Sequence, residues 1–566
     1  MEDTTTTNLA VDVRLHRRAL VEDAFASGRL KPLVLPYCLL GCYILPALWL
    51  AIPHAHRPWL YWCRWPLMAF TIVFNADVML RRSSTNPAFA YAVGLAAAWG
   101  IIASSTLLIW TRPQADAARV VRRRRRRRRR VAAPDTADLP ERQHEEATTT
   151  AVRENGSLRR RSNADATTTT TTTSSSPTAV IRSNDYGLVD LSKDPDYDYV
   201  WEPFDPHASL GARLNWAFDL TLNFRYAGWN ISIPCLPRPE VTGNVRPAPG
   251  AIVDMAPMPV VTTSGYRRSL SDAEFVRNRL RVLLTTYLVL DFLAVFMVKD
   301  PYFVLGPDHE LFPLSPLPSY LRALPPRAVL AYRQILSLAG VICAIVGVFS
   351  VNDLVQYYLL PYVFPSRAQL WTHPSAFGSF QQVLDRGLAG WWGSWWHQTF
   401  RLQFSAPAAY LRRNGFTRKG TILGAASVMV VSFAQSGLLH ACGSLSSTPP
   451  TKPWRAPVFF LMQAAGIMLQ YAASAVVTRS WPQRSIPTSL CRASRLVFAV
   501  VWLHVTSTVF VDDLATTGLW LLEPVPVSPL RWLGFGHSDD HWLRWTREYF
   551  PWWHVDQHWW ETGLAM

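Results

Sequence analysis

Apolar residues in this chain are gathered into long runs separated by polar stretches. The first, Leu33–Pro53 (LVLPYCLLGCYILPALWLAIP), carries no charge. At 1.5 Å of rise per residue it is long enough to cross the ~30 Å hydrocarbon layer of a membrane. Runs of similar character follow at roughly Trp59–Leu80, Ala88–Trp110, Val282–Val298, Val329–Val351, Thr421–Cys442, Val458–Val477 and Leu496–Val511. The pattern predicts an all-α fold, a polytopic transmembrane bundle of about eight spans. Several runs contain Gly, Pro, Ser or Gln, as helices facing the interior of such a bundle do. No small-residue cleavage site accompanies the first run, which is expected to remain as an anchor.

Between the third and fourth runs the pattern collapses. Thr111 to about Asp194 holds nine consecutive arginines, Arg122–Arg130, followed by Thr- and Ser-rich sequence. Such a stretch cannot bury enough apolar surface to offset its ordering entropy and is expected to be disordered. A helical stripe then returns at Leu214, Ala217, Phe218, Thr221 and Leu222. Its polar neighbours predict an amphipathic helix lying in the membrane interface and leading into the turn NFRYAGWN. The chain thus divides into a polar N-terminal tail (1–32), early spans (33–110), a disordered insert (111–198), a core (199–530) and a Trp/His-rich C-terminal tail (531–566).

Composition sharpens this picture. Hydrophobic residues make up 49% of the 566, with 25 Trp, which disfavours a soluble chain. Net charge is +16, yet without the arginine run it falls to +7, so the basic balance is local. That excludes a general nucleic-acid surface and suits a solvated linker able to touch anionic lipid. The seven cysteines form no CxxC pair and read as apolar fillers. HSDDH (His537–His541) and WWHVDQHWW match no metal-ligand spacing, so no metal is expected. Orientation is contradictory. Arg14, Arg17, Arg18, Arg29 and Lys31 favour a cytosolic N-terminus, and the arginine run favours a cytosolic insert, but three complete spans between them cannot satisfy both.

Two histidines carry the candidate chemistry. His440 lies near the end of an otherwise apolar helix, with Ser436, Gly437, Gly443 and Ser444 at helical spacing around it. These small residues predict open space beside the imidazole. An ionisable group at that depth marks a functional site, as a general base or as an interhelical hydrogen-bonding group. His397 sits in WWGSWWHQTFR, where Trp391, Trp392, Trp395 and Trp396 form either an aromatic belt or a shaped pocket, on an interfacial or re-entrant helix.

NFRYAGWN, WWGSWWHQTFR and SFAQSGLLHACG, in this order within a multi-span chain, resemble the fungal wax synthase-like branch of the membrane-bound O-acyltransferases. That branch is similar to plant wax ester synthases and includes acetyltransferases of terpenoid and meroterpenoid pathways. The resemblance covers roughly Tyr199–Pro529. The chain departs from the family pattern where Tyr226-Ala227 replaces Gly-Ile, and where Ser394 and Trp395 stand at positions that are commonly basic. The resemblance implies an integral endomembrane enzyme, most naturally of the endoplasmic reticulum. It would move an acyl group from acyl-CoA, with acetyl-CoA the leading donor, to a hydroxyl of a hydrophobic metabolite. No cofactor is implied beyond the acyl-CoA co-substrate. His440 would be the base, and His397 or Gln398, beside Trp396, the carbonyl-oxygen donor or acyl positioner. Arg401 would meet a phosphate of coenzyme A or of lipid, and Asn223, Arg225 and Trp229 would line the substrate tunnel or support it. Long-chain wax ester synthesis and a non-enzymatic transporter or receptor are the competing readings.

Overall fold

Six helices among the described residues are long and apolar enough to cross a membrane: Pro87–Trp110, Asp272–Lys299, Pro326–Tyr362, Ile422–Leu445, Arg455–Ser480 and Thr488–Thr506. The protein is seen in a computed structural model describing residues 8–125, 181–182, 196–240, 246–307, 317–449, 451–480 and 486–566. Eight spans were expected, and the first two do not qualify. Pro36 lacks an amide donor and divides the first run into a strand (Val34–Leu35) and a short apolar helix, Tyr37–Ala51, which opens with a 3-10 turn and a π-turn. The second run becomes Pro58–Trp62 followed by helix α1 (Arg64–Arg81), whose 18 residues include Arg64, Asp77 and Arg81.

Helix α2 (Pro87–Ser105) starts where Asn86 accepts the Ala88 N–H at 3.0 Å, and it packs on α1. Helix α3 (Leu210–Thr221), N-capped by Ser209, confirms the helix expected there. Its buried face differs from the apolar stripe, because it includes Asp219, 1% exposed. That carboxylate accepts from Arg367 Nε at 2.6 Å, Arg119 Nη1 at 3.0 Å and Ser366 Oγ at 2.9 Å. Burial opposes its ionisation, but Arg367 and Arg119 outweigh this and hold the carboxyl below its usual range. Helices α4 (Asp272–Phe296) and α5 (Pro326–Tyr358) pack together. Helix α6 (Arg401–Arg413) leads to α7 (Ile422–Leu445), which lies against α2, α6 and α8 (Arg455–Ser480). Helices α9 (Thr488–Thr506) and α10 (Thr508–Thr517) complete the set.

Glycine permits the close approach of α2, α7 and α8. A Cβ on Gly94 would stand 1.8 Å from the Cys442 carbonyl oxygen, and one on Gly437 2.5 Å from Pro457 Cα. Backbone meets backbone at both crossings, the small-residue packing that membrane helices favour.

Both ends of the insert depart from the expected disorder. Ala118–Arg124 pairs antiparallel with Tyr197–Pro203, so the arginine run begins in a strand. Arg122 lies over the Tyr197 ring and Arg125 bonds Asp198 at 2.7 Å. Most of the remaining insert falls outside the described residues. The N-terminal segment likewise is no free tail, because Leu9–Ala26 is helical, with Ala10, Val13, Arg17, Val21 and Ala24 buried. Arg14 pairs with Glu523 at 2.5 Å, and Arg17 donates to the carbonyls of Thr516 at 2.8 Å and Thr517 at 3.1 Å. The C-terminal tail returns to this end, where Gly563–Ala565 pairs with Trp552–His554 and with Val34–Leu35.

Candidate functional site

The segment before α6 is not a continuous helix. Short helical pieces at Gln381–Arg386 and Leu388–Gly390 lead into a π-turn, Trp391–Trp395, a geometry frequent at functional sites. Gln398 clamps this turn. Its amide donates to the carbonyls of Trp392 and Trp396, both at 2.8 Å, and its oxygen accepts from Arg401 Nη1 at 3.0 Å. Arg401 also donates to the Gly393 carbonyl at 2.9 Å. In this structure Gln398 and Arg401 therefore hold the loop that presents His397.

The His397 ring is bounded by Trp396 at 5.6 Å, Phe400 at 5.9 Å, and Phe349 and Phe377 at 6.1 Å. Burial, followed by the nearby His440 and Arg225, pushes its imidazole down to about 3, so the ring is neutral. Its Nδ1 is enclosed without a hydrogen-bond partner. The tryptophans build this pocket as a contact set: Trp392 meets Trp396 at 5.6 Å, and Trp391 meets Trp395 at 4.4 Å.

His440 approaches the same interior from α7. It stacks on Phe460 of α8 at 5.2 Å and 11°, and meets Phe510 of α10 edge-on at 5.2 Å. Phe460 in turn meets Trp392 at 6.0 Å, so an unbroken sequence of ring contacts joins the two histidines. The space expected beside His440 is filled rather than open at two of its small neighbours. Gly437 admits the α8 backbone, and Gly443 admits the Tyr91 ring, whose Cζ would lie 2.8 Å from an added Cβ. Tyr91 places its Oη 3.1 Å from His440 Nδ1. Tyr91 was not among the residues singled out from the sequence. The available signal was a phenol in an alanine-rich apolar run, since a buried Tyr hydroxyl requires a partner.

Asn223 and Arg225 come to the edge of this region. Together with Phe349, Asn352, Asp353 and His373 they line a cavity of about 30 Å³, room for roughly two waters at ~10–15 Å³ each. Phe349 touches both this cavity and His397. Asn223 donates to the Ala227 carbonyl at 3.0 Å, and Arg225 to those of Ser375 at 2.8 Å and Pro374 at 3.0 Å. Trp229, by contrast, lies in a core cluster with Trp216 and Tyr226, away from the histidines' ring contacts. There it packs as part of the core. The motif position that departs from glycine, Tyr226, has φ +53° and is 2% exposed. Among the described residues no group of His, Cys, Asp or Glu is arranged to hold a metal ion.

Comparison with known proteins finds similarity over part of the chain. Residues 373–462 match the model of the membrane bound O-acyl transferase family, a segment containing both histidines. The acetyltransferase aurG of Calcarisporium arbuscula is 29% identical over 192 residues, 33% of this chain and 46% of the relative. The acetyltransferase fsoF of Humicola fuscoatra is 32% identical over 139 residues, 23% of this chain and 33% of the relative. The O-mevalon transferase macI of Penicillium terrestre is 38% identical over 82 residues, 13% of this chain and 19% of the relative. The chain spans less than half the length of the curated relatives it matches. No solved structure matches it.

Proposed function

We propose that this chain, which carries a membrane bound O-acyl transferase segment at residues 373–462, is an acyl-CoA-dependent O-acyltransferase. The observation that carries the reading is the convergence of two imidazoles, from α7 and from the π-turn loop, on one aromatic interior within that segment. An alcohol is a weak nucleophile, so its proton must leave as its oxygen attacks the thioester carbonyl. Nδ1 of His440 is occupied by Tyr91, and Nε2 is the nitrogen that takes this proton. As the new C–O bond forms, the carbonyl oxygen gains charge. A donor aimed at it, here His397 Nε2–H, contributes ~3–4 kcal/mol in other acyl-transfer enzymes. The C–S bond then breaks, the imidazolium returns its proton to the sulfur, and ester and free coenzyme A leave.

Acetyl-CoA is the proposed donor, and a terpenoid or meroterpenoid alcohol in an endomembrane such as the endoplasmic reticulum the proposed acceptor. Three relatives named as acetyltransferases support the acetyl assignment. Turnover by purified membranes is measured with acetyl-CoA and long-chain acyl-CoA against sterols, terpenoid alcohols and fatty alcohols. Transfer of long chains to fatty alcohols alone would favour wax ester synthesis. His440→Ala is expected to abolish turnover per folded molecule, and His397→Asn, which keeps a donor, to retain part of it. Near-wild-type turnover in His440→Ala overturns the assignment.

A further inference from the structure

A histidine that serves as base through Nε2 must carry its own proton on Nδ1, and something has to hold it there. In many enzymes a carboxylate does so. Here the group at Nδ1 is the phenol of Tyr91, from a different helix. Its oxygen is 3.1 Å from His440 Nδ1 and 3.5 Å from the His440 main-chain carbonyl oxygen. The second contact, at the limit of hydrogen bonding, gives the phenol proton an acceptor other than the ring. With that proton on the carbonyl, the phenol oxygen accepts Nδ1–H and Nε2 is left with a lone pair facing away from α2.

The placement is built into both helices. Tyr91 and Gly94 lie three residues apart on one face of α2, opposite Gly443 and Cys442 of α7. Gly94 brings the backbones together, and Gly443 gives the ring its seat. Either side chain grown by one carbon would drive the phenol away from the imidazole. Asp513 of α10 is also fully buried and accepts the Lys452 N–H at 3.2 Å.

We propose that Tyr91 is a positioning residue for acyl transfer, seated by Gly443, which holds His440 in the Nδ1–H tautomer and aims Nε2 at the acceptor hydroxyl. This rests on the reading of His440 as the base. Tyr91→Phe keeps the ring on Gly443 and removes only the hydroxyl. Loss of one hydrogen bond that strengthens as the imidazole becomes charged is expected to lower kcat about 10- to 100-fold, with KM for donor and acceptor unchanged. Gly443→Ala displaces the phenol and is expected to lower kcat comparably. In the Tyr91→Phe background it should lower kcat per folded molecule little further, because the hydroxyl it would misplace is already gone.

The test measures kcat, KM and folded yield for both single variants, the double variant and His440→Ala in matched membranes. An inactive His440→Ala with wild-type kcat in Tyr91→Phe overturns this proposal and leaves the base assignment standing. An active His440→Ala overturns both. Losses that multiply in the double variant would show that Gly443→Ala acts through general packing, and would overturn the seating role assigned to Gly443.

Discussion

Replacing Gln398 separates a substrate contact from a scaffold. The resemblance places Gln398 beside the substrate, whereas the structure engages three of its polar positions within the protein, at 2.8, 2.8 and 3.0 Å. Gln398→Ala would leave the Trp392 and Trp396 carbonyls short of a donor in an aromatic surround and would remove one of two acceptors from Arg401 Nη1. Two neutral bonds at ~1 kcal/mol each and a charged one at ~1.5–3 kcal/mol sum to about 3.5–5 kcal/mol if nothing relaxes. Gln398 is 6% exposed, so water can replace little of this, although Tyr266 Oη also donates to the Trp396 carbonyl at 3.2 Å and recovers part of it. The expected outcome is a loss of about 2–4 kcal/mol, a clearly lower thermal midpoint in detergent, and a fall in kcat as His397 loses its fixed position. KM for the proposed acetyl-CoA donor should hold. Midpoint and full kinetics are measured on the same preparations. An unchanged midpoint with KM for the donor raised tenfold or more would refute the scaffold argument and return Gln398 to the substrate.

Other outcomes follow from the same structure. Asp219→Ala leaves Arg119 and Arg367 buried without their shared carboxylate and is expected to cost about 3–5 kcal/mol, read as a collapse in folded yield by size-exclusion fluorescence. Deleting 131–176 spares the paired residues of both strands and should leave insertion and turnover intact; a deletion starting at Arg122 removes part of the ribbon and should lower folded yield. Asn230-Ile231-Ser232 has the form of a glycosylation acceptor, yet Asn230 accepts the Ala118 N–H at 2.9 Å and donates to the Asp116 carbonyl at 2.8 Å, while Ser232 is 3% exposed. No endoglycosidase-sensitive mass shift is expected at Asn230, and a shift abolished by Asn230→Gln would contradict the fold of this turn.

The long apolar helices were legible because hydrophobicity over twenty residues is a sum, and sums tolerate local error. The first two runs were misread because that sum is blind to proline and to where charges fall. Pro36 breaks the first segment, and Arg64, Asp77 and Arg81 load the second. Ion pairing defeated the stripe rule on α3. Asp219 reads as a solvent-facing residue by pattern, and only its partners at positions 119 and 367, far away in sequence, explain its burial.

The candidate site shows the same division between local and distant information. His440, His397 and Gln398 were legible as motif members, because chemistry at a site demands particular side chains at short spacing. Their roles depend on partners that spacing cannot reveal: Tyr91 lies 349 residues from His440. Tyr226 shows how a departure from a motif becomes interpretable. The family pattern has glycine there, and the backbone does adopt φ +53°, where a non-glycine residue costs roughly 1–2 kcal/mol. A fully buried aromatic ring contributes about 1.5–3 kcal/mol, enough to offset that cost. The turn therefore keeps the conformation that glycine specifies while using the position to fill the core behind the NFRYAGWN segment. From this turn Asn223 and Arg225 reach the cavity that Phe349, a ring neighbour of His397, also lines.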